Sequence, residues 1–215
     1  MTIKVWSEFY DYTRTQLNGV ASNLVDNALM HSARDFCIET NLDAIDFVTQ
    51  NVSAGTASYT ITCSDSQKEP CSVSKVWVDG SPLFYITLAA LESKSALWTA
   101  DTSTLPTDFT QYADDNVFLY PNPTLSYTSG LVCSGSARPT LTATGIEKWI
   151  GDKYVETIAA GAKARLMMQP GRPWTDVAQA QVQGAMFMGG ISSAKIQAYK
   201  TNTRGSLTAR MRPFA

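Results

Sequence analysis

Apolar positions recur every three or four residues at both ends of the chain and every second residue in the middle. Trp6, Phe9, Tyr10, Thr13 and Leu17 share one helical face, and Asn18-Gly19 is a suitable stop after them. A second helix is predicted from an N-cap at Ser22 or Asn23, with Val25, Ala28, Leu29, Ala33, Phe36 and Cys37 on its apolar stripe. The small residues Ala28, Ser32 and Ala33 would let a neighbour pack close. From about residue 52 the period changes to two. "ASYTITCS", "SVSKVWVDGSPLFYITL", "DNVFLYPNP" and "GLVCSGSARPTL" read as short strands, with Asp79-Gly80 as a hairpin turn. The stretch between Leu91 and Thr110 is irregular, with Trp98 and Pro106 as anchors. Residues 145–200 return to helical spacing. Ile146, Trp149, Ile150, Tyr154, Ile158, Ala162, Arg165 and Leu166 form one stripe.

"ARLMMQPGRPWTD" is a sharp corner in this last region. Pro170-Gly171 stops one helix, Pro173 stiffens the turn, and Thr175 or Asp176 caps the next. The final helix carries Val177, Ala180, Gln181, Gly184, Phe187, Met188, Ile191, Ala194 and Ala198 on its stripe. Beyond it, "TNTRGSLTARMRPFA" alternates Leu207, Ala209 and Met211 against Thr208, Arg210 and Arg212, as an extended arm would. The chain therefore divides into N-terminal helices (1–48), a β-rich region (49–141), a C-terminal helical hairpin (142–200) and an arm (201–215). The fold class expected is α+β: a helical bundle formed by the N- and C-terminal helices, an inserted small β-sandwich or barrel, and an extended C-terminal arm.

Composition changes this picture in one respect. Charged residues make up only 17% of the chain, and the net charge of −2 conceals an uneven distribution. Residues 1–144 carry seven Lys/Arg against fifteen Asp/Glu, net −8, and residues 145–215 carry ten against four, net +6. Opposite-signed halves suit head-to-tail association between copies or docking on an acidic partner, although two solvated faces of a monomer are the plainer reading. No apolar run approaches the ~18 residues of a membrane span, and the N-terminus lacks the pattern of a signal peptide. Cys37, Cys63, Cys71 and Cys133 have no paired metal-ligand spacing and are expected to be reduced, mostly buried thiols, although Cys63 and Cys71 could face each other across a hairpin.

Catalytic chemistry is hard to assemble from these residues. His31 is the lone histidine and has no nucleophile beside it in the pattern. Asp43/Asp46 and Asp114/Asp115 could form acid–base couples, but they sit at element ends, where carboxylates usually cap or are solvated. Phosphate-loop, dinucleotide, zinc-protease and nucleophile-elbow motifs are all missing. The chain is expected to be neither an enzyme nor a cofactor or metal carrier. Lys195, Lys200, Arg204, Arg210 and Arg212, with Tyr199 and Phe214 among them, could grip a phosphate backbone; an arm lying along a protein neighbour accounts for their spread better. Trp77, Trp98, Trp149 and Trp174 read as core, with a stacking or sugar-binding role as the rival.

The ordered set "ARDFCIET", "SYTI", "VWVDGSPL", "VFLYPNP", "ARPT", "IAAGAKARLMMQPGRPWTD", "FMGGISSAKIQA" and "MRPFA" resembles the head–tail adaptor (connector, head-completion) proteins of short-tailed bacteriophages over nearly the whole chain. The resemblance implies a virion protein made in the host cytoplasm and placed at the head–tail junction. Such a protein forms a ring of roughly twelve copies between the portal and the tail nozzle or tube. DNA passes through the channel without sequence-specific binding, and no membrane is involved. It further implies a portal-docking arm of Leu207, Arg210, Met211, Arg212, Pro213 and Phe214, and inter-subunit roles for Arg165 and Arg172. The alternative is a tail or collar module that contacts another tail protein or host glycans.

Overall fold

A computed structural model describes residues 2–17, 19–94 and 97–202. In chain order its elements are β1 (Ile3–Val5), α1 (Tyr10–Thr13), α2 (Ser22–Thr40), β2 (Ala44–Asp46), β3 (Gln50–Val52), β4 (Ser58–Thr60), β5 (Lys68–Val78), β6 (Ser81–Tyr85), α3 (Leu88–Lys94), β7 (Thr102–Ser103), β8 (Asp108–Ala113), β9 (Asn116–Tyr120), β10 (Asn122–Pro123), β11 (Tyr127–Pro139), β12 (Gly145–Glu147), α4 (Lys148–Lys153), α5 (Val155–Met167) and α6 (Val177–Asn202). The predicted hairpin forms: Asp79 and Gly80 both take positive φ, 49° and 75°, and β5 meets β6 with Val78 opposite Ser81.

The expected helical bundle with a small sandwich or barrel inserted in it is not what this chain builds. The fold is mixed α/β around a single curled sheet of eight strands, with six α-helices among the described residues. The sheet runs β2-β11-β5-β6-β8-β9-β4, and β3 also pairs with β11. Its backbone is the antiparallel pair of long strands, β5 and β11, whose register shifts twice, at Ser134/Gly135 and Ser136/Ala137. Those bulges increase the local twist and bend the sheet round one core of Phe47, Val52, Ile61, Val76, Phe109, Leu119 and Leu131. The curl stays open between β3 and β4. There the Val48 amide donates to the Thr62 carbonyl at 3.0 Å, and the Gln50 side chain donates to the Thr60 carbonyl.

The N-terminus supplies the other half of the correction. In place of one helix, residues 3–5 pair antiparallel with β12, and short 3-10 turns flank the single turn of α1. The buried Thr13 hydroxyl donates back to the Phe9 carbonyl at 3.1 Å, a bond that competes with continued helix. Only α2 is left as a long N-terminal helix, so there is no N-terminal pair for a bundle. It packs with α5 and α6 in a layer of its own, around Phe9, Val25, Leu29, Phe36, Ile150, Ile158, Leu166 and Ile191.

Charged joints tie this layer to the sheet. Lys68, at the first position of β5, is nearly fully buried and reaches Asp43 at 3.0 Å and Glu147 at 2.7 Å. Burial opposes its charge, but the Glu147 and Asp43 contacts outweigh it and hold the ammonium above its ordinary value. Arg34 of α2 meets Glu69 of β5, which also receives Arg138 of β11; Arg138 in turn reaches Asp114. Burial disfavours the Glu69 charge, yet its two guanidinium partners prevail and keep its carboxyl below the usual range.

Candidate assembly surfaces

The C-terminal hairpin has the corner that its sequence requires. Gly171 takes a positive φ of 71°, and the Asp176 carboxylate accepts the Gln179 amide at 2.9 Å, capping α6. Thr175 links the two sides, accepting the Arg172 amide at 3.0 Å while donating to the Gln169 carbonyl. Trp174 is half-buried against the helical core, and the exposed Arg172 guanidinium lies 5.9 Å from its ring centroid. Arg165 projects from α5 onto Asp35 of α2 in the same chain. Arg172 meets no carboxylate among the described residues. The arm residues Leu207, Arg210, Met211, Arg212, Pro213 and Phe214 lie outside the described residues.

One side of α6 packs on α5 and α2 through Ala180, Phe187, Ile191 and Ala194. The other side is also apolar. Val182, Met186, Met188 and Ile196 are each more than half exposed, with Ala185 and Gly189 between them. A Cβ added at Gly184 or Gly189 would meet nothing within 4 Å. Across residues 177–198 the one charged side chain is Lys195, already on Glu39 at 2.6 Å. A stretch of about 33 Å with a single, already paired charge approaches the composition of a buried helix. The expected stripe included Val177, Gln181 and Met188, which instead face outward.

A second exposed patch lies on the sheet. Phe84 of β6, Leu97, and Tyr112 of β8 are all more than half exposed; Tyr85 is exposed too but turns to the opposite face, against Phe109 at 5.6 Å. Tyr112 lies against Trp98, which is buried edge-on to Phe118 at 4.8 Å. This patch went unread in the sequence. Its available signal was "FY" within a strand, since adjacent side chains point to opposite faces and one aromatic must leave the core. Trp149, predicted as core, is 45% exposed at the start of α4, and the single predicted helix is broken at Tyr154 into α4 and α5. Trp77 is half-buried on the outer face of the sheet.

The residues considered for chemistry are scattered into structural roles. His31 is exposed on α2. Asp43 is occupied by Lys68, Asp46 accepts the Ser134 hydroxyl at 2.6 Å, and Asp114 holds Arg138. The four cysteines are free thiols. Burial alone pushes Cys133 up to about 12, and burial leads in raising Cys63 to about 11, so neither is a ready nucleophile at neutral pH. Among the described residues no group of three or more His, Cys, Asp or Glu is placed to hold a metal, and no helix is long and apolar enough to cross a membrane.

Two exposed apolar surfaces, one on the helical layer and one on the sheet, suit a protein that joins others. No curated protein sequence matches the chain. The family model of the SU10 adaptor protein, however, matches residues 6–212. That span takes in the broken N-terminal segment, the curled sheet, the corner and α6 alike, and so the chain belongs to the SU10 adaptor protein family of bacteriophage structural proteins.

Proposed function

We propose that the protein is a head–tail adaptor that assembles as a ring of roughly twelve copies between the portal and the tail nozzle or tube, continuing the DNA channel. The observation that carries this reading is the outer face of α6. Exposed Val182, Met186 and Ile196 interleave with Ala185 and Gly189, giving knobs and hollows on one face that carries no charge between residues 178 and 197, while exposed Met188 lies toward the Lys195–Glu39 pair. A face without charges offers nothing to a DNA backbone. It suits close packing against a neighbouring copy. Arg172, free of any carboxylate among the described residues, is then placed to reach one on the next subunit, while Arg165 shares the surface as a pair with Asp35.

On this reading the patch of Phe84, Leu97 and Tyr112 meets the tail, and residues 203–215 dock in the portal through Leu207, Met211 and Phe214, flanked by Arg210 and Arg212. The combined replacement of Val182 and Met186 by lysine is expected to abolish rings seen by electron microscopy. Because both positions are exposed, monomer stability should change by less than about 0.5 kcal/mol. Rings that persist in this variant would remove the assigned interface. Deleting residues 203–215 should leave self-association intact and eliminate co-sedimentation with the cognate portal. Undiminished portal binding would refute the role of the arm.

A further inference from the structure

On the outer face of the sheet, β2, β5 and β11 form an open groove of about 830 Å³. Its floor is flat and polar. The Ser72 and Ser136 hydroxyls lie 2.8 Å apart, and both donate to Asn41 Oδ1. Asn41 follows α2 in the left-handed conformation, φ 50°, which sets its amide against the sheet. Gly135 lets β11 lie close on β5 beneath the groove: a Cβ there would point inward, 1.9 Å from the Ser72 carbonyl oxygen and 2.9 Å from the Phe47 ring. At one end stands Trp77, in register with Val132 on β11 and Pro82 on β6.

Several groups in the groove keep bonding capacity. Asp46 uses Oδ1 for Ser134 and leaves Oδ2 open. Among the described residues, Lys75 Nζ, Asn41 Nδ2 and the Trp77 indole N–H have no acceptor. The groove therefore offers one acceptor, three donors and an aromatic surface, and the charges of Lys75 and Asp46 offset each other. That balance is poor for a phosphate or other anion, which would meet the Asp46 carboxylate. The hydroxyl-lined floor is equally poor for a lipid or a flat apolar molecule. A neutral ligand with hydroxyls on its edges and C–H groups on one face fits all of these features.

We propose that this groove binds a neutral saccharide, with the Trp77 indole against one sugar ring and Asp46, Lys75 and Asn41 bonded to its hydroxyls. This site is separate from the surfaces assigned to ring, portal and tail, so its failure would leave the adaptor reading untouched. The test is calorimetry and tryptophan-fluorescence titration of the full chain with maltotriose, triacetylchitotriose and a galactose trisaccharide. A heparin tetrasaccharide serves as the anionic comparison, and retention on the matching immobilised polysaccharide separates a polymer chain from a free sugar. One neutral trisaccharide is expected to bind with a Kd near 1 mM or below, and Trp77→Ala and Asp46→Asn should each weaken it about tenfold or more. Asp79→Asn, outside the groove, should change nothing, and circular dichroism should show all three variants folded. The proposal is overturned if no neutral trisaccharide gives a saturable signal, if the heparin fragment binds more tightly, or if binding survives Trp77→Ala.

Discussion

Replacing Lys68 with methionine is expected to cost about 3–5 kcal/mol of folding stability, because it leaves two carboxylates in a nearly dry site without their cation. The Asp43 and Lys68 side chains are 5% and 6% exposed and that of Glu147 is 13% exposed, so water cannot substitute for the missing ammonium. In a domain of this size the melting temperature should fall by roughly 10 °C. Urea titration or thermal melting would measure it, and a loss under about 1 kcal/mol would show that the buried pair is dispensable. Adding Asp43→Asn to the variant should restore part of the loss. The pH dependence follows from the direction of the Lys68 shift. Its folded value is raised, so its contribution is fully present below the ordinary lysine value and is lost only as pH climbs through the raised one. In Lys68→Met the deficit should instead shrink on acidification, as the stranded Asp43 carboxylate takes up a proton. Burial already raises Asp43 despite the opposing effect of Lys68.

Two glycine-to-alanine changes should move stability in opposite directions. Alanine is the better helix former by about 1 kcal/mol, so propensity alone would have both substitutions stabilise. At Gly161 the new methyl would lie 2.2 Å from Ser32 Oγ and 2.9 Å from the Phe187 ring, where α5 crosses α2 and α6. Ser32 cannot move freely, since its hydroxyl donates to the Ile158 carbonyl at 2.7 Å in a buried site. Overpacking of about 1–3 kcal/mol together with a strained or lost buried bond of about 1–3 kcal/mol exceeds the propensity gain. Gly161→Ala should therefore lose about 2 kcal/mol. Gly184→Ala meets nothing within 4 Å and should gain up to about 1 kcal/mol. Equal denaturation midpoints for the two variants would mean that the three helices do not approach as closely as described.

That contrast also shows what local pattern could reveal. The small residues of "TIAAGAKA" announce a close helix crossing, the stripe Val25-Leu29-Phe36 announces α2, and Asp79-Gly80 and Asp176 mark a turn and a cap; each is a signal within a few residues. Partners are not encoded locally. Ile3–Val5 looks like the lead-in to a helix, and only its pairing with β12, some 140 residues away, makes it a strand. Nothing in "KEPCSVSKVWV" says that the strand starts at Lys68, because that start depends on Pro139 opposite it. The bundle expectation failed for the same reason: helical periodicity at both ends does not reveal that the first segment breaks at Thr13. The sugar-binding alternative at Trp77 was legible as a residue, but neither its groove partners on β2 and β11 nor the exposed patch was, because exposure is a property of the finished sheet. Arg165 was legible as an exposed cation, but its Asp35 partner on another helix was not.

The open edge between β3 and β4 has a mechanical consequence. Every other boundary of the curl is a ladder of paired strands, whereas this one is bridged by the Val48–Thr62 contact, the Gln50 side chain and the Tyr59 hydroxyl, which accepts the Ser53 amide at 3.0 Å. A sheet loaded from outside yields where the fewest bonds act in parallel. The curl is therefore a split cuff, stiff along β5 and β11 and compliant at one slit. When neighbours press on the subunit, its girth changes most readily there, and Val52, Tyr59 and Ile61, which flank the slit in the sheet core, are the side chains that such a change shifts first.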